Sequence, residues 1–218
     1  MSVTPLDTSR VKTIVGLGLA LATPFCHLGD LGRAHSGLGP LWGGEVLWWI
    51  VGVALLIYVA AVERRPLESI GFRTPTILDL VYAIGAGTLM VIGIILIVML
   101  LLPALHVNIS KQLATVLQTP LWFRVLQVSR AAVVEEIMFR GYGMERLVES
   151  SGSRLLAAIT TWLLFTAAHI SSWGIGQVII AAFGGAILTL LYVWRRNLWS
   201  NMIAHWLTDA AAFIVPHR

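Results

Sequence analysis

Two adjacent carboxylates and a guanidinium stand inside an apolar run, Val133-Val134-Glu135-Glu136-Ile137-Met138-Phe139-Arg140. Two further segments, Phe165-Thr166-Ala167-Ala168-His169 and His205-Trp206-Leu207-Thr208-Asp209, add two imidazoles and a third carboxylate. These groups suffice for acid–base chemistry, because a carboxylate with imidazoles can activate water and stabilise an oxyanion. Two histidines and one carboxylate are also a zinc ligand set with an open position, here Glu135, His169 and His205. The His-Glu-x-x-His signature of zinc proteases is absent, and neither Ser129 nor Ser171 lies in a Gly-x-Ser-x-Gly setting.

Helical spacing assigns the charges. Residues four apart share a face, so Glu136 pairs with Arg140 in the favourable order, carboxylate first. Glu135 is rotated from Glu136 by about 100° around an α-helix, which leaves it without that partner and free for proton work. A purely structural ion network would explain Glu136 with Arg140 and leave Glu135 unexplained. His205 and Asp209 also share a face. His27, His35, His106 and His217 fall at segment ends or in loops and carry no such pattern.

The elements that must position these groups are transmembrane. The 218 residues are 57% hydrophobic and 12% charged, with a mean hydropathy of +0.83, which excludes an ordinary soluble domain. Apolar stretches at 11–29, 41–62, 77–105, 118–147, 154–172, 174–194 and 199–216 approach or exceed the ~20 residues that cross a bilayer. The expected fold is an all-α polytopic membrane protein of about seven helices. Residues 1–218 form a single domain, with scaffold helices over 11–105 and a catalytic core over 118–216.

Lys and Arg set the orientation. With the N-terminus inside, nine of them (Arg10, Lys12, Arg64, Arg65, Arg73, Arg146, Arg154, Arg195, Arg196) fall on the inner side against three (Arg33, Lys111, Arg218) outside. The expected topology is N-in, C-out, with Trp42, Trp122 and Trp173 at the outer interface and Trp194 and Trp199 at the inner one. The net charge of +4 is therefore a membrane-orientation signal, and no nucleic-acid partner is expected. The first stretch resembles a signal peptide, but cleavage after Ala20-Leu21-Ala22 would leave only Thr13 to Leu19 as the apolar region, at the short limit for such a segment, while the uncut stretch is about long enough to span, and it is read as a membrane helix. Cys26, the single cysteine, excludes an internal disulfide and is expected to be a small buried hydrophobe. Asn108-Ile109-Ser110 matches a glycosylation acceptor in an outer loop, a pattern that chance produces often.

Together, Glu135-Glu136-x-x-x-Arg140, Phe165-x-x-x-His169 and His205-x-x-x-Asp209 resemble the three ordered motifs of the CAAX-protease and bacteriocin-processing (Abi, or CPBP) family of intramembrane proteases. Phe139-Arg140-Gly141-Tyr142 looks like the extension of the first motif. The resemblance covers about 118–216. It implies a peptide-bond hydrolase in which Glu135 activates water with help from His169, His205 and Asp209 stabilise the oxyanion or orient the attack, and Glu136 and Arg140 hold the geometry. Eukaryotic prenyl-protein proteases look like they use Asn where this chain has Asp209, so Asp209 is expected to orient His205. The family is described both as metal-dependent and as metal-free; metal-free water activation is favoured here, with zinc as the alternative.

The expected partners are a membrane-embedded peptide or protein substrate and the lipid bilayer, and the expected location is a bacterial inner membrane. The alternative is a non-catalytic membrane scaffold or bacteriocin-immunity protein of the same fold. A proton-coupled transporter is a third reading, without the paired broken helices such proteins show. The segment boundaries leave one conflict: His169 falls near the outer end of the fifth helix and His205 near the inner start of the seventh. The two meet Glu135 only if the Ser171–Gly176 connection is sunk into protein and the seventh helix is displaced outward.

Overall fold

The computed structural model describes residues 8–26 and 42–215, with the backbone alone at 171–173. His27, His35, His217, Arg33 and Arg218 lie outside the described residues, as does the side chain of Trp173. The described residues are helical, and none forms a strand. They form α1 (Thr8–Leu21), α2 (Trp42–Ile57, extended by a π turn at Tyr58–Val62), α3 (Ile77–Leu96, continuing through a π turn at Ile97–Leu101), and the short α4 (Ser110–Leu117). Then follow α5 (121–151, α-helical at both ends with π turns between), α6 (Arg154–Ala168), α7 (Ile170–Arg195) and α8 (Leu198–Phe213).

Three of these helices, Trp42–Val62, Ile77–Ala104 and Gly174–Arg195, are long and apolar enough to cross a membrane, and Arg154–Ala168 is apolar but shorter. The burial pattern of α3 shows which solvent it meets. Asp79, Ala83, Gly87 and Met90 are buried at helical spacing, while Ile77, Leu78, Val81, Ile84, Ile92, Leu96 and Met99 are each at least half exposed. A continuous apolar face of that size would drive association in water and is at home against lipid tails. Where α3 meets α8, the contact is made by small residues. A Cβ on Gly87 would lie 3.2 Å from both the Ala204 carbonyl and the Leu207 side chain, the close approach by which membrane helices gain packing without a hydrophobic driving force.

One end of the bundle gathers the expected inner cations and pins them. Arg146 donates to both oxygens of Glu63 and to the Ser69 hydroxyl. Arg65 forms a two-pronged pair with Glu149 at 2.6 and 2.8 Å. Arg196 reaches Glu145 at 2.6 Å, and Arg195 reaches Asp79 at 2.8 Å. Thr76 and Asp79 close a reciprocal capping box at the start of α3. The ends of α2, α5 and α7 and the starts of α3, α6 and α8 therefore meet, as short connections between antiparallel neighbours require. The start of α1 joins them, since the Tyr58 hydroxyl donates to the Lys12 carbonyl at 2.8 Å.

One expectation outside the core is corrected. Cys26 is exposed, because it lies past the end of α1 where none of the described helices covers it. The Asn108 side chain accepts the Ser110 backbone N–H at 2.7 Å, so the glycosylation-like pattern is a turn that opens α4.

Candidate active site

The helix that carries Glu135 and Glu136 is not a regular α-helix. The α-helical Leu121–Arg130 passes into π turns at Ala131–Glu135 and Ile137–Met144 before α geometry resumes at Glu145–Ser151. In a π turn the residue beneath i is i−5, so Arg130 and Glu135 come onto one face. Arg130 Nη1 donates to Glu135 Oε1 at 3.1 Å, and its Nε donates to Glu45 of α2 at 3.2 Å. The expectation of an unpaired Glu135 is thereby corrected: it was derived from α-helical rotation, and the local helix is wound differently. Glu135 keeps one side open, with its side chain 19% exposed against 0% for Glu136.

Glu136 is a hub. Its Oε1 accepts from Arg140 Nη1 at 2.8 Å and from His205 Nδ1 at 3.0 Å, and its Oε2 accepts from Asn201 Nδ2 at 3.0 Å. Arg140 also donates to the Gly185 carbonyl at 3.1 Å and lies 4.2 Å over the Phe165 ring. The expected Glu136–Arg140 pair is present and fully buried. It ties α5 to α7 and α8 through charge-assisted hydrogen bonds, which satisfy a carboxylate that burial would otherwise penalise.

The imidazoles flank Phe165. Its ring centroid lies 4.8 Å from that of His169 and 6.3 Å from that of His205. His169 Nδ1 is 2.8 Å from the Phe165 carbonyl; a carbonyl only accepts, so Nδ1 carries the proton and Nε2 is the basic nitrogen of the neutral ring. His205 lies between carboxylates, with Nδ1 donating to Glu136 and Nε2 3.5 Å from Asp209. That second distance is an ion-pair contact, too long for a good hydrogen bond.

Glu135, His169, His205 and Asp209 line one cavity of about 150 Å³, whose remaining wall is mostly apolar and includes Met90 and Ile94 of α3 and Ile180 and Leu188 of α7, with Arg124, Gln127, Arg130 and Gln177 as further polar groups. A second cavity of about 160 Å³ adjoins Glu135, Arg130 and His169 from the side of α1 and α2. The depth conflict between the histidines is answered by the start of α8. The Leu198 N–H donates to the Gly71 carbonyl at 2.9 Å, and Leu198 abuts Gly141, ten residues before the end of α5 at Ser151. The seventh long helix thus begins about 15 Å outward of that end. Seven residues further, His205 comes level with the Glu135–Glu136 pair. The connection after α6 differs from the expected sunken loop: α7 starts at once, and the break is confined to Gly174, at φ 73° and ψ −173°, a conformation open essentially to glycine.

The three candidate zinc ligands are engaged with other groups in this structure. Both nitrogens of His205 face carboxylates, Glu135 is bound to Arg130, and no three His, Cys, Asp or Glu side chains among the described residues are grouped to hold a metal. Ser129 accepts the Trp206 indole N–H at 3.1 Å, the bond of a packing serine.

Two partners were not assigned from sequence. Asn201 lies four residues before His205, so helical spacing carried a signal for it. Arg130, five residues before Glu135, carried none that α-helical spacing could read.

Residues 116–211 match the family described as Rce1-like, type II CAAX prenyl endopeptidase. No curated protein and no solved structure matches the chain significantly. The match spans all three motifs and, of the helices that line the cavity shared by Glu135, His169, His205 and Asp209, leaves out α3 and most of α4. Residues 116–211 therefore carry the pattern of the Rce1-like, type II CAAX prenyl endopeptidase family.

Proposed function

We propose that this chain is an active intramembrane endopeptidase that hydrolyses a peptide bond of a membrane-anchored protein or peptide, with Glu135 and His169 activating the water without a metal. The observation that carries the reading is the shared cavity, in which Glu135, His169, His205 and Asp209 face one space walled by apolar helices. The family supports a CAAX-protease-type endopeptidase in general, and the apolar helices support an integral membrane protein. The finer reading is seven spans with the N-terminus inside, in a bacterial inner membrane.

In this mechanism Glu135, steadied by Arg130, takes a proton from water as the oxygen attacks the scissile carbonyl carbon. The Nε2 of His169 accepts a hydrogen bond from the same water and aims it. His205, held through Nδ1 by Glu136, donates from Nε2 to the developing oxyanion, and Asp209 keeps the ring in place. The C–N bond then breaks, and the proton held by Glu135 passes to the leaving amine. Glu136, Arg140 and Asn201 position His205 without touching the substrate.

The test is a proteome comparison of cells carrying the natural protein, Glu135→Ala or His169→Ala. A membrane protein whose cleavage disappears in both variants, at unchanged abundance of the variants in the membrane, is the expected result. Full cleavage by both variants would remove the mechanism. A function that survives Glu135→Gln would favour the non-catalytic scaffold.

A further inference from the structure

Two cavities meet at the water-activating residues, and they share only part of their lining. Glu135, Arg130 and His169 face both, whereas His205 and Asp209, the groups on the oxyanion side, line the first and not the second. The rest of the second cavity is Pro24, Trp48, Met138, Phe139 and Ala168. Met138 and Phe139, 0% and 2% exposed, form its floor. Pro24 stands half-buried at its rim, in the turn Thr23–Phe25 just past α1 and next to the exposed Phe25. Arg130 is a fixed wall, held by Glu45 and Glu135 and lying 5.8 Å from the centre of the Trp48 ring. At about 160 Å³ the space has room for about five waters at about 30 Å³ each. Dry cavities are lined by apolar groups; this one presents a guanidinium, a carboxylate and an imidazole, which supply the donors and acceptors that buried water needs.

We infer that the second cavity is a water site: it stores the attacking water and admits it past Pro24 at the end of α1, while the peptide occupies the first cavity. This rests on the endopeptidase reading for what the water attacks, though the hydration itself does not need catalysis. The divided lining carries the inference, because the two residues that activate water reach both spaces and the oxyanion groups reach one. Each cleavage consumes a water, whose oxygen bonds to the carbonyl carbon while its proton passes through Glu135 to the leaving amine, so the site must refill. A peptide seated among Met90, Ile94 and Leu188 fills the first cavity, and the hydrocarbon around the helices supplies no water. Refilling from the side of α1 and α2 leaves the peptide in place and brings water to Glu135 and His169 from the face away from His205. Pro24 and Trp48 lie outside residues 116–211, so the scaffold helices complete the water supply of a core that carries the chemistry.

A mere packing gap would stay dry and would not bear on turnover. The first experiment exposes the full chain in detergent to brief X-ray pulses and reads methionine oxidation by mass spectrometry, since hydroxyl radicals made from a buried water oxidise the side chain beside it. Met138 and Met144 are buried alike, at 0% and 1% exposure, and of the two only Met138 lines the second cavity. Met138 is expected to oxidise about 10-fold faster than Met144, because ordered water stands beside it alone. Equal rates overturn the inference without any substitution. The second experiment plugs the rim reversibly: Pro24→Cys in a Cys26→Ser background is treated in membranes with benzyl methanethiosulfonate, and the adduct is later removed with reductant. Cleavage is read on the membrane protein whose processing disappears in Glu135→Ala, with Cys26→Ser alone, treated alike, as the control. The adduct is expected to suppress both Met138 oxidation and cleavage, and reductant to restore both in the same folded protein. Undiminished cleavage with Met138 protected overturns the inference, and undiminished Met138 oxidation under the adduct overturns entry past Pro24. A wet second cavity in a protein that cuts nothing in cells would keep the water site and remove the protease.

Discussion

At the residue scale, the adjacent glutamates have opposite burdens. Glu136 is wholly buried and bound to Arg140, His205 and Asn201, so removing a partner strands a charge. Arg140→Leu is expected to destabilise the protein by about 3–5 kcal/mol, the cost of breaking a buried pair from one side. Thermal unfolding in detergent reads it. Glu135→Gln should shift the same midpoint little, because Glu135 is partly exposed and Arg130 retains Glu45. Its loss is expected in cleavage alone. Comparable destabilisation by both substitutions would contradict this division of labour.

At the element scale, α5 is placed by its glycines as much as by its charges. A Cβ on Gly141 would stand 2.9 Å from the Ile70 carbonyl and 3.0 Å from Leu198, whereas a Cβ on Gly85 of α3 would meet nothing within 4 Å. Gly85→Ala should therefore stabilise by about 0.5–1 kcal/mol through helix propensity. Gly141→Ala should destabilise by about 1–3 kcal/mol despite the same gain, since a backbone carbonyl cannot step aside as a side chain can. Melting curves that move together would show that Gly141 is not a packing constraint. The same contact fixes the outward start of α8, so Gly141→Ala should also lower cleavage by moving His205 relative to Glu135. The π turns matter for the same reason: they bring Arg130 beneath Glu135, which no α-helical register would do.

At the scale of the whole molecule, the single cysteine reports the orientation. Cys26 is exposed just past α1, and with the N-terminus inside it faces outward. A membrane-impermeant maleimide should label it in intact cells, and Cys26→Ser should abolish the signal. Labelling only after the cells are opened would reverse the topology. In that orientation the charged cluster at the other end, built on Glu63, Arg146, Glu149 and Arg65, is expected to lie on the inner side.

The sequence alone determined that the chain is helical and apolar, that its candidate site residues lie in the last half, and that Glu136 pairs with Arg140. Those conclusions follow from composition and from spacing along one helix, both of which are local. The family pattern was legible for the same reason, since each motif is short and lies within one element. Tertiary structure decided that Glu135 is held by Arg130, that Asn201 joins Glu136, and that α8 starts level with Gly141 so that both histidines flank Phe165. These depend on π turns and on close contact with Gly71 and Gly141, where backbone meets backbone across elements distant in sequence. Nothing in the spacing of residues along a single helix encodes such contacts.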